Sequence, residues 1–329
     1  MKQPIAELYA AAREGNRRSL GRLLSVVERG GSNADELSAL VHQDVGSAHI
    51  VGITGPPGSG KSTLVGQLVT HLVGKGSKPA VLAVDPSSPL TGGAILGDRI
   101  RIEGGVPGER SPAFIRSMAT RGHSGGLALA VPLAVRLFDA VGFDPVIIET
   151  VGVGQVEVDV VGAADTALVV MTPGMGDAVQ ANKAGLLEVA DLFVVNKADR
   201  PGADDVRRDL DLMLDLSHLT GQESDTGYRP PIVMASALHG DGTADAWDAT
   251  VAHLAHLDES GLRSTRRSHR LRTEVRARLE YELGLAADAA MESADSAELF
   301  NQTERAELAP NEAGIRLADV LLRKTKETP

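Results

Sequence analysis

One octapeptide constrains the fold more than any other part of the chain. The run GPPGSGKS occupies residues 55–62, directly after the apolar stretch 49–54. Its glycines let backbone N–H groups turn inward as a nest for an anion, and a helix that begins there turns its positive dipole end towards that anion. Leucines at helical spacing follow at Leu64, Leu68 and Leu72. The pattern therefore predicts a strand, a phosphate-binding loop and an amphipathic helix in succession.

The residue types in this loop indicate a site for a nucleoside triphosphate. Lys61 can reach the β- and γ-phosphates, and Ser62 can offer its hydroxyl to Mg²⁺ at the start of the helix. The alternative is a glycine-rich turn without a ligand, which the strand before it and the helix after it disfavour.

Length and composition favour a compact domain with flanking helices. The chain has 329 residues, of which 43% are apolar, and this is enough for one large core. It has no cysteine, so it forms no disulfide and no thiolate metal site, which fits a reducing compartment. The first residues lack a signal pattern, and no apolar run approaches the ~20 residues that cross a bilayer. We expect a cytoplasmic protein without a membrane partner.

Charge argues against nucleic acid as a partner. The net charge is −11 and aromatic residues make up 3% of the chain. Backbone contacts to nucleic acid need clustered positive charge, and bases stack on aromatic rings. We therefore expect no nucleic-acid partner.

The pattern of apolar residues divides the chain into three parts. We predict an N-terminal helical extension (1–47), a nucleotide-binding domain (48–257) and a C-terminal helical arm (258–329). Short apolar runs alternate with helical patterns across the middle part, which predicts an α/β fold with a mostly parallel central sheet. The predicted strands are 50–54, 80–84, 113–116, 145–148, 166–170, 192–195 and 232–235.

The flanking parts are predicted to be helical. Residues 4–45 are interpreted as two helices, with Ser32 or Asn33 as a possible cap of the second. Beyond residue 258, an arginine-rich helix is followed by a separate helix that is richer in alanine and acids. The apolar stripes of this arm leave two interpretations open, a solvated tail or a dimerisation arm.

Two short motifs at predicted strand ends indicate that the base is guanine. Asn196-Lys197-Ala198-Asp199 follows one strand, and Ser236-Ala237 follows the next. Asp199 can accept two hydrogen bonds from guanine N1–H and the N2 amine, a pattern that adenine does not offer. Asn196 and Lys197 would hold the loop and cover the base, and a backbone N–H at Ser236-Ala237 would meet the guanine O6.

Acidic residues near the loop are candidates for metal binding and hydrolysis. Glu149 begins a [DE]-x-x-G element; it can reach Mg²⁺, and the Gly152 N–H can meet the γ-phosphate, although an acid that only caps a strand end remains the alternative. Asp85 ends another strand and can also approach the metal. Val153 stands where many small GTPases have a glutamine that orients water. We therefore expect slow intrinsic hydrolysis that depends on a rearranged loop, a partner or another polar residue such as Asp98.

Together with the loop, the segments 85–98, 149–155 and 172–177 resemble the MeaB/ArgK family. The matching motifs are closely spaced over residues 50–240. It implies a P-loop GTPase of the dimeric SIMIBI class that acts as a chaperone of adenosylcobalamin-dependent methylmalonyl-CoA mutase. Binding and hydrolysis of GTP would gate cofactor loading and protect or reactivate the mutase, which would also stimulate hydrolysis.

The resemblance also assigns roles to individual residues. The catalytic candidates are Lys61, Asp98 and Glu149, and the magnesium neighbourhood is Ser62, Asp85 and Glu149. The nucleotide-binding candidates are Gly55, Gly58, Ser59, Gly60, Lys61, Ser62, Thr63, Gly152, Asn196, Lys197, Asp199, Ser236 and Ala237. The residues expected to couple nucleotide state to a partner are Asp85, Asp98, Gln155, Asp177, Gln180 and Lys183.

The implied ligands are Mg²⁺ with GTP and GDP. We expect no cobalamin site, because the chain has no Asp-x-His-x-x-Gly loop. A small-molecule kinase linked to amino-acid transport stays open as an alternative, since the same loop can present a γ-phosphoryl group to a substrate hydroxyl. A nickel-insertion GTPase is disfavoured because it needs clustered cysteine and histidine.

Overall fold

The structure is a computed structural model that describes residues 3–44, 46, 48–85, 111–119, 126–150, 162–174, 189–219 and 228–327. Its centre is a seven-stranded sheet in which each pair of hydrogen-bonded neighbours is parallel. The strands are β1 (Ile50–Thr54), β2 (Ala80–Asp85), β3 (Phe114–Ala119), β4 (Val146–Thr150), β5 (Thr166–Met171), β6 (Leu192–Val195) and β7 (Ile232–Met234). Their order across the sheet is β3-β2-β4-β1-β5-β6-β7.

Helices cover both faces of this sheet. Those of the main domain are α4 (Lys61–Gly74), α5 (Gly126–Ala140), α6 (Ala203–Leu219) and α7 (Thr243–Glu259). The flanking helices are α1 (Ile5–Arg13), α2 (Arg17–Arg29), α3 (Ser32–Gln43), α8 (Leu262–Met291), α9 (Ala294–Glu304) and α10 (Pro310–Glu327). The predicted α/β class with a parallel sheet is confirmed.

The apolar runs form strands because both faces of the sheet are buried. All five residues of β4 are buried, and successive side chains point to opposite faces. Val146 and Ile148 belong to the core formed with α1, α2, α3 and α5. Ile147 belongs to the core formed with α4 and α7.

All seven predicted strands are present, with bounds that differ by a few residues. The largest difference is in β3, which was predicted over 113–116 and extends from Phe114 to Ala119. This strand forms one edge of the sheet and pairs with β2 along its whole length. Pairing with a neighbour therefore extended a strand that its own apolar pattern left short.

Three predictions about the flanking helices are corrected by the structure. The N-terminal part has three helices rather than two, because the chain turns at Gly15 and Asn16 caps α2 by accepting a hydrogen bond from Ser19 N. Helix α3 is preceded by Gly31 and has no side-chain cap, so the predicted cap by Ser32 or Asn33 is wrong. In the arm, the arginine-rich and alanine-rich segments form one helix, α8.

The chain divides into two compact units, Met1–Leu271 and Arg272–Pro329. The first contains the sheet with its helices, and the second contains most of α8 with α9 and α10. Inside the second unit, Leu308, Ala313 and Leu317 are buried. None of the helices in the described ranges is both long and apolar enough to cross a membrane.

Candidate nucleotide-binding site

The phosphate loop lies at the carboxyl edge of the sheet, directly after β1. The strands β2, β3 and β4 lie on one side of β1, and β5, β6 and β7 lie on the other. The loop joins the end of β1 to the start of α4, and β1 lies between β4 and β5. Ligands of open parallel sheets bind at such a switch point, outside the carboxyl ends of the strands. Glu149 lies near the carboxyl end of β4, and the two base motifs follow β6 and β7 at this same edge.

Two glycines of the loop are required by close contacts. Gly55 has a φ of 140°, and a Cβ there would lie 2.2 Å from Val170 O on β5. Gly60 has a φ of 90°, and its Cβ would lie 2.3 Å from Asn196 Nδ2. A side chain at Gly55 would displace the backbone of β5, and one at Gly60 would displace the Asn196 side-chain amide, so glycine is needed for the packing as well as for the backbone conformation.

Lys61 is folded back into the loop. Its side chain is buried, and Nζ donates hydrogen bonds to Gly55 O at 2.6 Å and to Pro56 O at 3.1 Å. Residues at the first turn of a helix have backbone N–H groups without intrahelical acceptors. The Lys61 ammonium group therefore places a positive charge beside the backbone N–H donors of the first turn of α4. Thr63, in the same turn, is exposed.

A serine and a glutamate meet beside the loop. Ser62 Oγ donates a hydrogen bond to Glu149 Oε1 at 2.6 Å, and Glu149 is fully buried at 0% exposure. The register of the β1–β4 pair explains why these two side chains are close, because Glu149 on β4 lies beside Ile53 on β1, just before the loop. Asp85 ends β2 at the same edge, but its side chain lies outside the described part of the chain.

The Asn196 side chain ties three loops together. Its Nδ2 donates to Ser59 O at 2.8 Å, and its Oδ1 accepts from Ala237 N at 2.9 Å. Next to it, Lys197 adopts a positive φ of 59° and donates from Nζ to Gly58 O at 2.7 Å. Two loops are predicted to bind the base: the first base loop is Asn196 to Asp199, and the second base loop is Ser236-Ala237. Direct hydrogen bonds thus hold the phosphate loop and these two base loops at fixed spacing.

Asp199 is oriented by the second base loop. Ser236 Oγ donates to Asp199 Oδ1 at 2.6 Å, and this hydrogen bond lowers the pKa of the Asp199 carboxyl. The carboxylate is therefore ionised and keeps acceptor capacity for a ligand. The backbone N–H groups of Ser236 and Ala237 already donate to Asp241 O and to Asn196 Oδ1.

Several predicted site residues lie outside the described part of the chain. They are Asp98, Gly152, Gln155, Asp177, Gln180 and Lys183. The structure in turn shows contributions that sequence reasoning missed. Val170 O packs against Gly55, and Met171 O accepts the Asn196 N–H at 2.8 Å. Both contributions are backbone atoms of an apolar strand, so no side chain signals them.

The parallel sheet and the phosphate loop after β1 define a P-loop nucleotide-binding protein. The family model of "Methylmalonyl Co-A mutase-associated GTPase MeaB" matches residues 20–292. The chain therefore belongs to the MeaB family of P-loop GTPases.

Individual relatives agree with this assignment. A Pyrococcus horikoshii protein named as a GTPase is 47% identical over 276 residues, which are 83% of this chain and 85% of that protein. GTPase ArgK of Escherichia coli is 36% identical, over 78% of each chain. A fused isobutyryl-CoA mutase of Paraburkholderia xenovorans is 37% identical over 75% of this chain and 20% of its own length. The crystal structure of a LAO/AO transport system kinase superposes with a TM-score of 0.71 at 25% identity, covering 98% of this chain and 99% of that one.

Proposed function

We propose that this protein binds GTP with Mg²⁺ at the carboxyl edge of its sheet and hydrolyses it to GDP and phosphate. The observation that carries the proposal is the Asn196 bridge, in which direct hydrogen bonds connect the loop of Asn196 to the phosphate loop and to the loop of Ser236 and Ala237. In this proposal, Gly55 to Thr63 bind the phosphates and Asp199 accepts the guanine N1–H and N2 amine.

The side chains beside the loop fit a magnesium ion. Mg²⁺ takes oxygen ligands, and Ser62 Oγ and the buried Glu149 carboxylate supply them side by side. When bound, Mg²⁺ neutralises the charge that develops on the phosphate oxygens. Glu149 would hold the Ser62 hydroxyl in place, and Lys61 would leave its carbonyl acceptors for the phosphates.

Hydrolysis by the isolated protein is expected to be slow. Val153 offers no side chain that orients water, so the reaction would depend on a partner, on a rearranged loop or on Asp98. A single-turnover measurement with GTP and Mg²⁺ tests this expectation. Turnover of several per second by the isolated protein would contradict it.

The proposed client is adenosylcobalamin-dependent methylmalonyl-CoA mutase. The family description names methylmalonyl-CoA mutase. In addition, a segment that makes up 20% of a protein named fused isobutyryl-CoA mutase matches this chain. The protein would then act as a chaperone in the cytoplasm that gates cofactor loading and protects or reactivates the mutase. Gln155, Asp177, Gln180 and Lys183 remain proposed coupling residues.

A pull-down with the mutase tests this role. The mutase is mixed with the protein in the presence of GTP, GDP or a non-hydrolysable GTP analogue. We expect a complex whose yield depends on the nucleotide, together with faster hydrolysis. The absence of both effects would leave a GTPase with another client.

The C-terminal arm is proposed to form a homodimer. Helix α8 exposes apolar side chains at four-residue intervals, and they are Leu271, Val275, Leu279 and Leu283. Such a stripe favours a helical partner. Light scattering should report a dimer that Leu279→Asp converts to a monomer, while Arg276→Ala leaves it unchanged.

A small-molecule kinase is the second candidate, and it is favoured by the likeness to the LAO/AO transport system kinase. Incubation with γ-labelled GTP and a panel of amino acids distinguishes the two functions. Release of the label as inorganic phosphate supports the GTPase. Stoichiometric transfer of the label to a metabolite supports the kinase.

A further inference from the structure

A buried carboxylate lies at the amino edge of the sheet, away from the phosphate loop. Asp191 directly precedes β6 and is 7% exposed. Arg266 donates to both of its oxygens, at 2.7 Å and 2.8 Å, and His253 Nε2 lies 3.3 Å from Oδ1. Oδ2 also accepts from Ala167 N at 2.9 Å. One side chain therefore connects β5, β6, α7 and α8.

Two of these elements run directly to the proposed base loops. The four residues of β6, about 13 Å of extended chain, separate Asp191 from Asn196. Helix α7 begins at Thr243, just after the loop that carries Ser236, and bears His253 in its second half. Both base loops are thus attached to Asp191 through short, regular elements.

The charge balance at Asp191 depends on its partners. Burial by itself would raise the pKa of Asp191, but hydrogen bonds from His253 and Arg266 outweigh it and lower the pKa. The carboxylate is therefore ionised inside the protein. Removal of the guanidinium group would take away one of the two side chains that stabilise this buried charge, and the start of β6 would lose its two-point contact with α8.

We infer that Arg266 is a positioning residue for base recognition, because through Asp191 it holds the amino end of β6, which leads to the Asn196 loop, and the second half of α7, which follows the Ser236 loop. This inference rests on the proposed binding of guanine nucleotides. Arg266 acts mainly on the base loops, since the loop from Gly55 to Ser62 is also held by contacts with Val170 and Glu149, which lie outside the base loops.

The test compares the affinity for GDP with that for ADP, which has the same phosphates and a different base. In Arg266→Met we expect the GDP-to-ADP affinity ratio to fall about fivefold or more. The affinity for ADP should change by less than about twofold, because the phosphate contacts remain. Titration calorimetry is done at a temperature where circular dichroism shows the variant to be folded.

Two further variants make the test specific. Arg276→Met removes an exposed arginine of the same helix, one that pairs with the exposed Glu280, and it should keep the wild-type ratio. Arg266→Lys keeps the positive charge but loses the two-point contact, so it should fold and show a smaller fall in the ratio.

The possible outcomes separate this inference from the proposed function. If the wild-type protein does not prefer GDP to ADP, the guanine assignment fails. If the wild-type protein prefers GDP and both Arg266 variants keep the same ratio while losing thermal stability, Arg266 is only structural and the inference is overturned.

Discussion

Ser62 Oγ and Glu149 Oε1 lie 2.6 Å apart and connect the first turn of α4 to the carboxyl end of β4. The glutamate is fully buried, whereas Ser62 is partly exposed, so the pair lies at the boundary between the core and the loop surface. The hydrogen bond fixes two oxygens on neighbouring elements where the phosphate loop ends. The pair is the part of the site that most directly supports the proposed magnesium ion.

Glu149→Gln should slow GTP hydrolysis about a hundredfold, because the amide can accept from Ser62 but brings no negative charge to the metal. Single-turnover assays across a Mg²⁺ titration measure the effect. Glu280→Gln, which changes an exposed glutamate on α8, is the matched control. An unchanged rate and an unchanged Mg²⁺ dependence in Glu149→Gln would remove this residue from the metal site.

Asp199→Asn should weaken GDP binding about a hundredfold and shift preference towards xanthosine diphosphate. The amide loses one of the two acceptor positions for guanine and gains a donor for the xanthine O2. Competition binding with both nucleotides measures the shift. Asp205→Asn, at an exposed residue paired with Arg208, should bind GDP like the wild type. Full guanine affinity in Asp199→Asn would show that this side chain does not contact the base.

Gly55→Ala should lower the free energy of unfolding by at least about 3 kcal/mol, since its Cβ would lie 2.2 Å from Val170 O. Gly142 is the matched control, because it also has a positive φ, of 87°, but a Cβ built there would have no neighbouring atom within 4 Å. Gly142→Ala should therefore cost only about 1–2 kcal/mol of backbone strain. Urea unfolding compares the two variants. Equal losses would mean that the contact between the loop and β5 is unimportant.

His49 makes stability depend on pH. Burial lowers the pKa of His49 from 6.5 to about 4, and its Nε2 lies 2.8 Å from Thr166 Oγ1. The folded protein thus keeps this ring neutral, whereas the unfolded chain takes up a proton below pH 6.5. The contribution of His49 is complete above that pH and falls by about 3 kcal/mol between pH 6.5 and 4.

His49→Gln should remove this part of the slope. Urea unfolding at pH 7.5, 6, 5 and 4.5 measures the free energy at each pH. His42→Gln, at an exposed histidine on α3, serves as the control and should keep the wild-type slope. A His49→Gln slope equal to that of the wild type would mean that this histidine is not buried in its neutral form.

Local sequence patterns determined the elements that carry the site. Continuous apolar runs predicted β1, β4, β5 and β6 because strands buried on both faces need no polar alternation. The loop 55–62 and the sequence Asn196 to Asp199 were located because glycine, lysine and carboxylate residues at those spacings have few other uses. The predicted pair of N-terminal helices was wrong because the turn at Gly15 and the cap at Asn16 interrupt the helix without interrupting the apolar pattern.

Only the tertiary structure decided how these elements meet. The order that places β1 between β4 and β5 brings Glu149 to Ser62 and Val170 to Gly55, and no local pattern specifies which strands are neighbours. The same applies to Asp191 and Arg266, which are 75 residues apart in the chain. The chain by itself determined which residues can bind phosphate and guanine, because side-chain chemistry and local spacing are properties of the sequence. Folding decided which of them share one space, because contacts between distant segments depend on how the whole core packs.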